Sequence, residues 1–202
     1  MLNLGIIGTS KILDKLVFFK LKNINLTVYG LSGRSPDKVK YYANLFNCKT
    51  FNSHESLLQD QKIDILYINL PDYMHEEYCL KGIENNKHII CEKTFGIDEK
   101  KIEKILFEAN KKKLYVFETF MYYFHQQYRD LEKTIQDGSL GNLVSIFFES
   151  SGLYSNKENY RLNKNLGGGI LNDMACYVIN LANRLNASEI KNISGDFFDL
   201  QK

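Results

Sequence analysis

The sequence predicts an α/β chain, with an N-terminal doubly wound parallel sheet followed by a partial α+β domain carrying a mostly antiparallel sheet. Three observations carry that expectation. Over residues 1–120, short apolar strand-like runs alternate with amphipathic helical runs. The helical runs are long enough to serve as crossover connections, which parallel pairing requires. After about residue 120 the alternation stops, and a helix, a β-rich run and a glycine-rich loop follow one another.

The elements follow in order. Leu4-Gly5-Ile6-Ile7-Gly8 is a short apolar run that ends in glycine, and Ile12–Leu21 then reads as a helix. Leu26–Leu31 is the next strand, and Pro36 suits the first turn of a helix running through Phe46. Ile63–Ile68 is rich in β-formers and bounded by Pro71, and His75–Ile83 is helical. His88–Cys91 is a strand, Glu99–Asn110 a helix and Leu114–Phe117 a strand. Residues 1–120 are therefore expected to form a Rossmann domain. Residues 121–202 read as an incomplete second domain. Its helix Gln126–Gln136 is stopped by Asp137-Gly138, and its strand is Leu143–Phe148. A loop over Asn156–Gly169 follows, then a helix over Ile170–Leu185 and the opening of another strand region over Ile190–Leu200.

Composition narrows the function classes. The 202 residues are 44% hydrophobic and 25% charged, as in ordinary globular proteins. A net charge of +2 is too mild to argue for a nucleic-acid partner. The lysine runs Lys100-Lys101 and Lys111–Lys113 read as solvated helix faces. No apolar run reaches membrane-spanning length, and the first residues lack the basic region of a signal peptide, so a cytoplasmic protein is expected. Cys48, Cys79, Cys91 and Cys176 form no CxxC pair and are expected to be free, mostly buried thiols. His75-Glu76-Glu77-Tyr78-Cys79 lacks the second histidine of a metalloprotease helix, so no metal is expected there.

Three segments carry candidate chemistry. Gly8-Thr9-Ser10-Lys11-Ile12-Leu13 lies between the first strand and first helix, where a dinucleotide-binding GxGxxG loop belongs. Such a loop needs a tight turn, close backbone approach to a pyrophosphate, and amides at a helix N-terminus that favour negative charge. Only the first glycine is present, with Ser10 and Leu13 at the other two places, and an ordinary strand-to-helix turn is the competing reading. After the second strand, Ser32-Gly33-Arg34-Ser35 with Lys38 replaces the acidic residue that often binds ribose hydroxyls. Arg34 can face a 2′-phosphate through its planar donors, stack on adenine, or be solvated; NADP is preferred over NAD. Cys91-Glu92-Lys93-Thr94 ends a strand at the sheet edge outside which ligands bind in open α/β sheets. Further on, Gly167-Gly168-Gly169 leads into a helix on which Asp173 and Tyr177 stand four apart, with Asn180 extending the polar stripe.

Taken in order, these segments resemble the Gfo/Idh/MocA oxidoreductases from the first strand to about residue 185. The resemblance rests on Gly5-Ile6-Ile7-Gly8-Thr9-Ser10, Ser32-Gly33-Arg34-Ser35-Pro36, and Asn69-Leu70-Pro71 with His75. It continues through Cys91-Glu92-Lys93, Glu118-Thr119-Phe120-Met121-Tyr122, Phe124-His125, Arg161-Leu162, the three glycines, and Asp173 with Tyr177. The resemblance implies a nicotinamide-dependent oxidoreductase acting on a sugar, sugar nucleotide, polyol or diol, with the family's lysine on Lys93. Tyr177 stands where a histidine is usual, as in the branch with glucose–fructose oxidoreductase and dimeric dihydrodiol dehydrogenases. The implied cofactor contacts are Gly8, Thr9, Ser10, Lys11, Ile12, Arg34, Ser35, Lys38, Leu70, Pro71, His75, Glu92 and Lys93. Catalytic roles fall to Lys93, Tyr177 and Asp173. Tyr177 would exchange a proton with the substrate oxygen while Lys93 binds that oxygen, the roles being exchangeable, and Asp173 would orient Lys93 or a substrate hydroxyl. A free tyrosine titrates near 10, and a neighbouring ammonium lowers that value. Tyr123, Tyr154, Arg161 and Asn172 are candidate substrate contacts by neighbourhood. The C-terminal sheet is the expected contact of a homo-oligomer. Thr94 replaces a usual proline, Tyr123 a common basic residue, Gln126 a common proline and Leu70 a threonine. Family members continue beyond residue 202, so a fragment, a truncated product or a pared-down relative is expected. A non-catalytic dinucleotide-binding or assembly subunit is the competing reading.

Overall fold

The computed structural model describes residues 1–20, 25–150, 159–163, 166–185, 191–192 and 194–196. The chain divides into two compact units, Met1–Phe120 with Tyr154–Asp173, and Met121–Leu153 with Met174–Lys202.

The first unit is built on β1 (Leu2–Ile7), β2 (Leu26–Ser32), α1 (Pro36–Phe46), β3 (Lys49–Thr50), α2 (His54–Gln59), β4 (Ile65–Ile68), α3 (His75–Glu84), β5 (His88–Glu92), α4 (Glu99–Lys111) and β6 (Val116–Thr119). The strands form one sheet in the order β3-β2-β1-β4-β5-β6, and every adjacent pair is parallel. This is the Rossmann order, in which the chain reverses its direction of winding between β1 and β4. Helices cover both faces, so the central strands read as continuous apolar runs rather than alternating ones. Leu57, Ile63, Leu66, Ile68, Cys79, Ile83, Ile89 and Ile105 form the core on one face. Leu4, Ile6, Leu13, Leu31, Val39, Tyr42 and Tyr67 form it on the other.

Local chemistry sets the helix ends. Pro36 starts α1, and Asn47 closes it in the left-handed region with φ of 52°, a conformation asparagine tolerates better than most residues. Asp98 caps α4 by accepting the Lys101 backbone N–H, as short acceptor side chains do at helix starts. Lys87, just before β5, is 2% exposed. Its ammonium donates to the carbonyls of Asp60 and Ile63, each at 2.8 Å, and burial pushes its pKa down.

Several expectations are corrected. β3 and α2 are additions. β3 has two residues paired with Gly30 and Leu31, too short to leave a periodic signal. α2 begins with a capping box in which Ser53 and Ser56 bond reciprocally, whereas the usual sequence signature has Glu or Gln at the second place. The first crossover winds as a 3-10 helix over Lys11–Lys20, and the last strand sits two residues later than expected, at Val116–Thr119.

The second unit contains α5 (Gln126–Gln136) and α6 (Cys176–Leu185). A π-helical turn, Leu171–Ala175, leads into α6, so the expected Ile170–Leu185 helix is not uniformly α. Leu143–Phe148, expected as a strand, has no ladder, and Val144 and Phe147 are 93% and 89% exposed. An apolar run becomes a strand only when a neighbour accepts its backbone bonds and covers its face; no strand follows Thr119 among the described residues. The described members of 190–200 carry no regular structure, and the rest of that stretch lies outside the described residues.

Candidate active site

A cleft of about 550 Å³ opens outside the C-terminal ends of the strands at the winding reversal. Its walls are Gly8–Ser10, Gly33–Ser35 with Lys38, Ser53–Glu55, Asn69–Pro71, Tyr73 and Met74. Gly8 has φ of +100°, and a Cβ there would lie 2.7 Å from the Asn69 carbonyl oxygen. Only glycine meets both demands. Asn69 latches the turn from the other side. Its Nδ2 donates to the Gly8 carbonyl at 3.2 Å, and its Oδ1 accepts the Ser10 N–H at 3.1 Å. The Gly8 N–H itself donates to the Ser32 carbonyl at 2.9 Å. The loop is thus held on two sides although the motif's later glycines are absent. Leu13, in place of the third, is fully buried in the core.

On the wall beyond β2, Arg34 and Lys38 are exposed. His54 is anchored there. Its Nδ1 lies 2.7 Å from Ser32 Oγ, and its ring meets Tyr78 edge-on with centroids 5.3 Å apart. Burial pushes the His54 pKa down.

Lys93 follows the last residue of β5. Its Nζ donates to Asp173 twice, to Oδ1 at 2.7 Å and to the backbone carbonyl at 2.6 Å. Arg161 Nε reaches the same Oδ1 at 3.1 Å. Asp173 is 7% exposed, so its charge is balanced by two cations rather than by water, as burial of a carboxylate demands. The Lys93 loop is tied down residue by residue. His75 is fully buried, with Nδ1 2.7 Å from the Thr94 carbonyl and Nε2 2.8 Å from the Leu70 carbonyl. Thr94 Oγ1 donates to the Asn172 carbonyl. The Phe95 N–H donates to Glu118 Oε1 at 2.8 Å. Burial raises the Glu118 pKa, against the opposing pull of the Phe95 amide and the Lys93 charge. Glu92 accepts the Tyr67 hydroxyl at 2.5 Å.

The glycine-rich segment positions Asp173. The Gly169 N–H donates to the Arg161 carbonyl at 2.8 Å, and Asn172 Nδ2 donates to the Gly167 carbonyl at 2.7 Å. A Cβ on Gly168 would lie 2.5 Å from the Arg161 carbonyl oxygen. Tyr160 donates to Asp72 Oδ1 at 2.9 Å; burial and then the Asp72 charge raise its pKa.

Within the second unit, Tyr177 is half-buried on α6, its ring centroid 6.3 Å from that of Tyr122. The hydroxyls of Tyr122 and Tyr123 both donate to Asn180 Oδ1. Arg184 lies 4.2 Å over the Tyr123 ring and donates from Nε to the Tyr128 hydroxyl at 2.9 Å. Tyr177, Asn180 and Arg184 therefore form one stripe of α6 packed beside the Met121–Phe124 turn.

Comparison with known proteins decides the family. Residues 2–120 match the oxidoreductase family with an NAD-binding Rossmann fold, and residues 128–202 match the GFO/IDH/MocA C-terminal domain. The chain belongs to the Gfo/Idh/MocA oxidoreductase family. Among its curated relatives is the trans-1,2-dihydrobenzene-1,2-diol dehydrogenase of Xenopus tropicalis, 27% identical over 87% of this chain and 54% of the relative. Another is the dTDP-3,4-didehydro-2,6-dideoxy-alpha-D-glucose 3-reductase of Actinomadura kijaniata, 25% identical over 90% of this chain and 55% of the relative. The 3-ketoreductase KijD10 from Actinomadura kijaniata, solved with NADP and TDP-benzene, superposes with a TM-score of 0.76 at 23% identity, over 90% of this chain and 56% of that one. The chain spans about half the length of the curated relatives it matches.

Against the Gfo/Idh/MocA expectations, Gly8, Thr9, Ser10, Arg34, Ser35, Lys38, Leu70 and Pro71 line the cleft. Lys11, Ile12, His75, Glu92 and Lys93 stand outside its lining; His75 acts from behind, on the carbonyls of Leu70 and Thr94. The structure brings Lys93, Asp173, Arg161 and Asn172 into one network. Tyr123 and Tyr177 belong to the second unit, and Tyr154 lies outside the described residues. Asn69 and Glu118 stood in the family signatures without a role. A polar residue directly after a buried strand was the available signal for Asn69. His54 gave none, since its partner Ser32 is 22 residues away. No group of three or more His, Cys, Asp or Glu residues is placed to hold a metal among the described residues. No helix among them is long and apolar enough to cross a membrane.

Proposed function

We propose that the chain is an NAD(P)-dependent oxidoreductase that transfers a hydride between a nicotinamide cofactor and a CH–OH group of a sugar, sugar nucleotide, polyol or diol. The observation that carries this reading is the Lys93–Asp173 pair at the C-terminal end of β5, in the unit that also holds the cleft. The substrate class follows the names of the relatives, which include a diol dehydrogenase, sugar-nucleotide reductases and a D-xylose dehydrogenase.

The cleft suits a dinucleotide. Gly8 leaves the backbone bare where a pyrophosphate must approach closely. Arg34, Ser35 and Lys38 offer donors and positive charge to a ribose 2′-phosphate, and Gly33-Arg34-Ser35, directly after β2, holds no acidic residue for a free 2′-hydroxyl, so NADP is preferred. When bound, the nicotinamide supplies the hydride acceptor or donor. The chain's own groups handle the substrate oxygen. Lys93 Nζ donates a hydrogen bond to that oxygen, with Asp173 and Arg161 fixing its position. Tyr177 exchanges the proton of the same oxygen. Tyr123, Arg161 and Asn172 are the candidate contacts for the rest of the substrate.

The test pairs binding with turnover. Ligands that bind only the native state raise the melting temperature, so NADPH is expected to stabilise the chain more than NADH. Oxidation of a trans-diol or aldose is expected with NADP, and its loss in Lys93→Met with stabilisation by NADPH kept. Stabilisation without turnover of any sugar or diol would favour a non-catalytic dinucleotide-binding subunit. No stabilisation by either cofactor would sink the proposal.

A further inference from the structure

We infer that His54 is a specificity-determining residue for the cofactor, reading the ribose 2′-phosphate of NADPH with an Nε2–H whose presence Ser32 dictates. The inference rests on the cleft being the dinucleotide site.

Ser32 is the last residue of β2 and is fully buried. Its hydroxyl has one hydrogen-bond partner among the described residues, His54 Nδ1 at 2.7 Å. If the ring donated from Nδ1, the serine proton would point at no acceptor, which costs the desolvation of a buried donor. The satisfied arrangement has Ser32 Oγ donating to Nδ1. A neutral imidazole carries one N–H, so the proton then sits on Nε2. Burial favours the neutral ring, the nearby charges being Glu55, which opposes that shift, and Lys81, which assists it. Glu55 is in turn drawn to Lys81 at 3.7 Å.

Nε2 has no hydrogen-bond partner among the described residues, and His54 lines the cleft with Arg34 and Lys38. The end of β2 is where dinucleotide folds read the ribose 2′ substituent. His54 is fastened to that end by Ser32 and braced by Tyr78. A donor held in one tautomer and one orientation selects an acceptor and gives nothing to a donor. A phosphate is acceptor-rich, whereas the 2′-hydroxyl of NAD offers a weaker acceptor.

The test titrates the 202-residue chain calorimetrically with NADPH, NADH, 2′,5′-ADP and 5′-AMP. His54→Leu is expected to weaken NADPH and 2′,5′-ADP roughly tenfold to a hundredfold, the loss of one hydrogen bond to a charged group. NADH and 5′-AMP are expected to weaken far less. His54→Gln, which keeps an N–H donor near the Nε2 position, is expected to restore most of the NADPH affinity. Ser32→Ala, which frees the tautomer, is expected to fall between wild type and His54→Leu. Equal losses for phosphorylated and unphosphorylated ligands, or no rescue by glutamine, overturn the inference. Wild-type chain that binds NADPH as well as His54→Leu does overturns it alone. Wild-type chain that binds none of the four overturns the cofactor reading of the cleft together with it.

Discussion

Asn69 and Gly8 close on one another across the winding reversal of the sheet. The asparagine side chain donates to the Gly8 carbonyl at 3.2 Å, and its own backbone oxygen occupies the space a Gly8 Cβ would need, 2.7 Å from that position. One asparagine thus performs, by side-chain bonding, part of what further glycines do by absence of bulk. Asn69→Ala strips a partner from the Gly8 carbonyl and the Ser10 N–H. A buried polar group left unpaired costs ~1–3 kcal/mol, so the melting temperature is expected to fall by several degrees and stabilisation by NADPH to shrink. Thermal melts with and without NADPH measure both. An unchanged response to NADPH would remove Asn69 from the cleft's working parts.

Lys93→Met separates chemistry from binding. Turnover is expected to fall by ~10²–10⁴-fold, the usual scale of a lost acid–base or orienting group, while NADPH affinity stays near the wild-type value because Lys93 is outside the cleft lining. Steady-state kinetics beside direct binding separates the two. Tyr177→Phe is expected to follow the same pattern, and a fully active Tyr177→Phe would leave the proton with Lys93.

Gly168 has backbone oxygens where a side chain would begin, Arg161 at 2.5 Å and Tyr160 at 2.7 Å. Gly168→Ala must therefore displace the segment that aligns Arg161 with Asp173. A shift of about 1 Å in a positioning group costs on the order of a hundredfold in rate. The expected result is a large drop in kcat with a small change in melting temperature. A drop confined to stability would assign the segment a packing role only.

Glu118 makes a pH prediction. Burial holds its carboxyl above the ordinary glutamate value, so the folded chain binds this proton more tightly than the unfolded chain. The stabilisation is complete below the unfolded value of about 4.3 and is lost as pH rises through the folded value. Glu118→Gln keeps an acceptor for the Phe95 N–H and does not titrate. Its stability relative to wild type is expected to increase between pH 4 and pH 7 in urea unfolding. A difference that stays flat with pH would show that Glu118 carries no such linkage.

The sequence revealed the parts of the fold that repeat a pattern. Buried runs such as Ile65–Ile68, punctuated by Pro71 and followed by an amphipathic α3, give a periodic signal over many residues. Lys49–Thr50 gives none, because two residues have no period. Leu143–Phe148 misled in the opposite sense: its composition favours a strand, but strand formation is decided by a partner. The pairing of Lys93 with Asp173 could be sought from the sequence because both stand in ordered signatures. His54 was not, since its position is set by Ser32 and Tyr78, each 22–24 residues away in sequence. The bonds that fix His75 and Glu118 behind the Lys93 loop are tertiary in the same sense.

Lys87 has a practical consequence. Its amine is enclosed at the start of β5 with both bonds satisfied by carbonyls, so an acylating reagent can reach it only in molecules whose first unit has opened. The chain's other lysines include many at the surface, such as Lys38 and Lys111, which serve as an internal reference for reagent strength. Mass spectrometry of the ratio of acylation between the two classes would follow breathing of the sheet at equilibrium, with no substitution introduced into the chain.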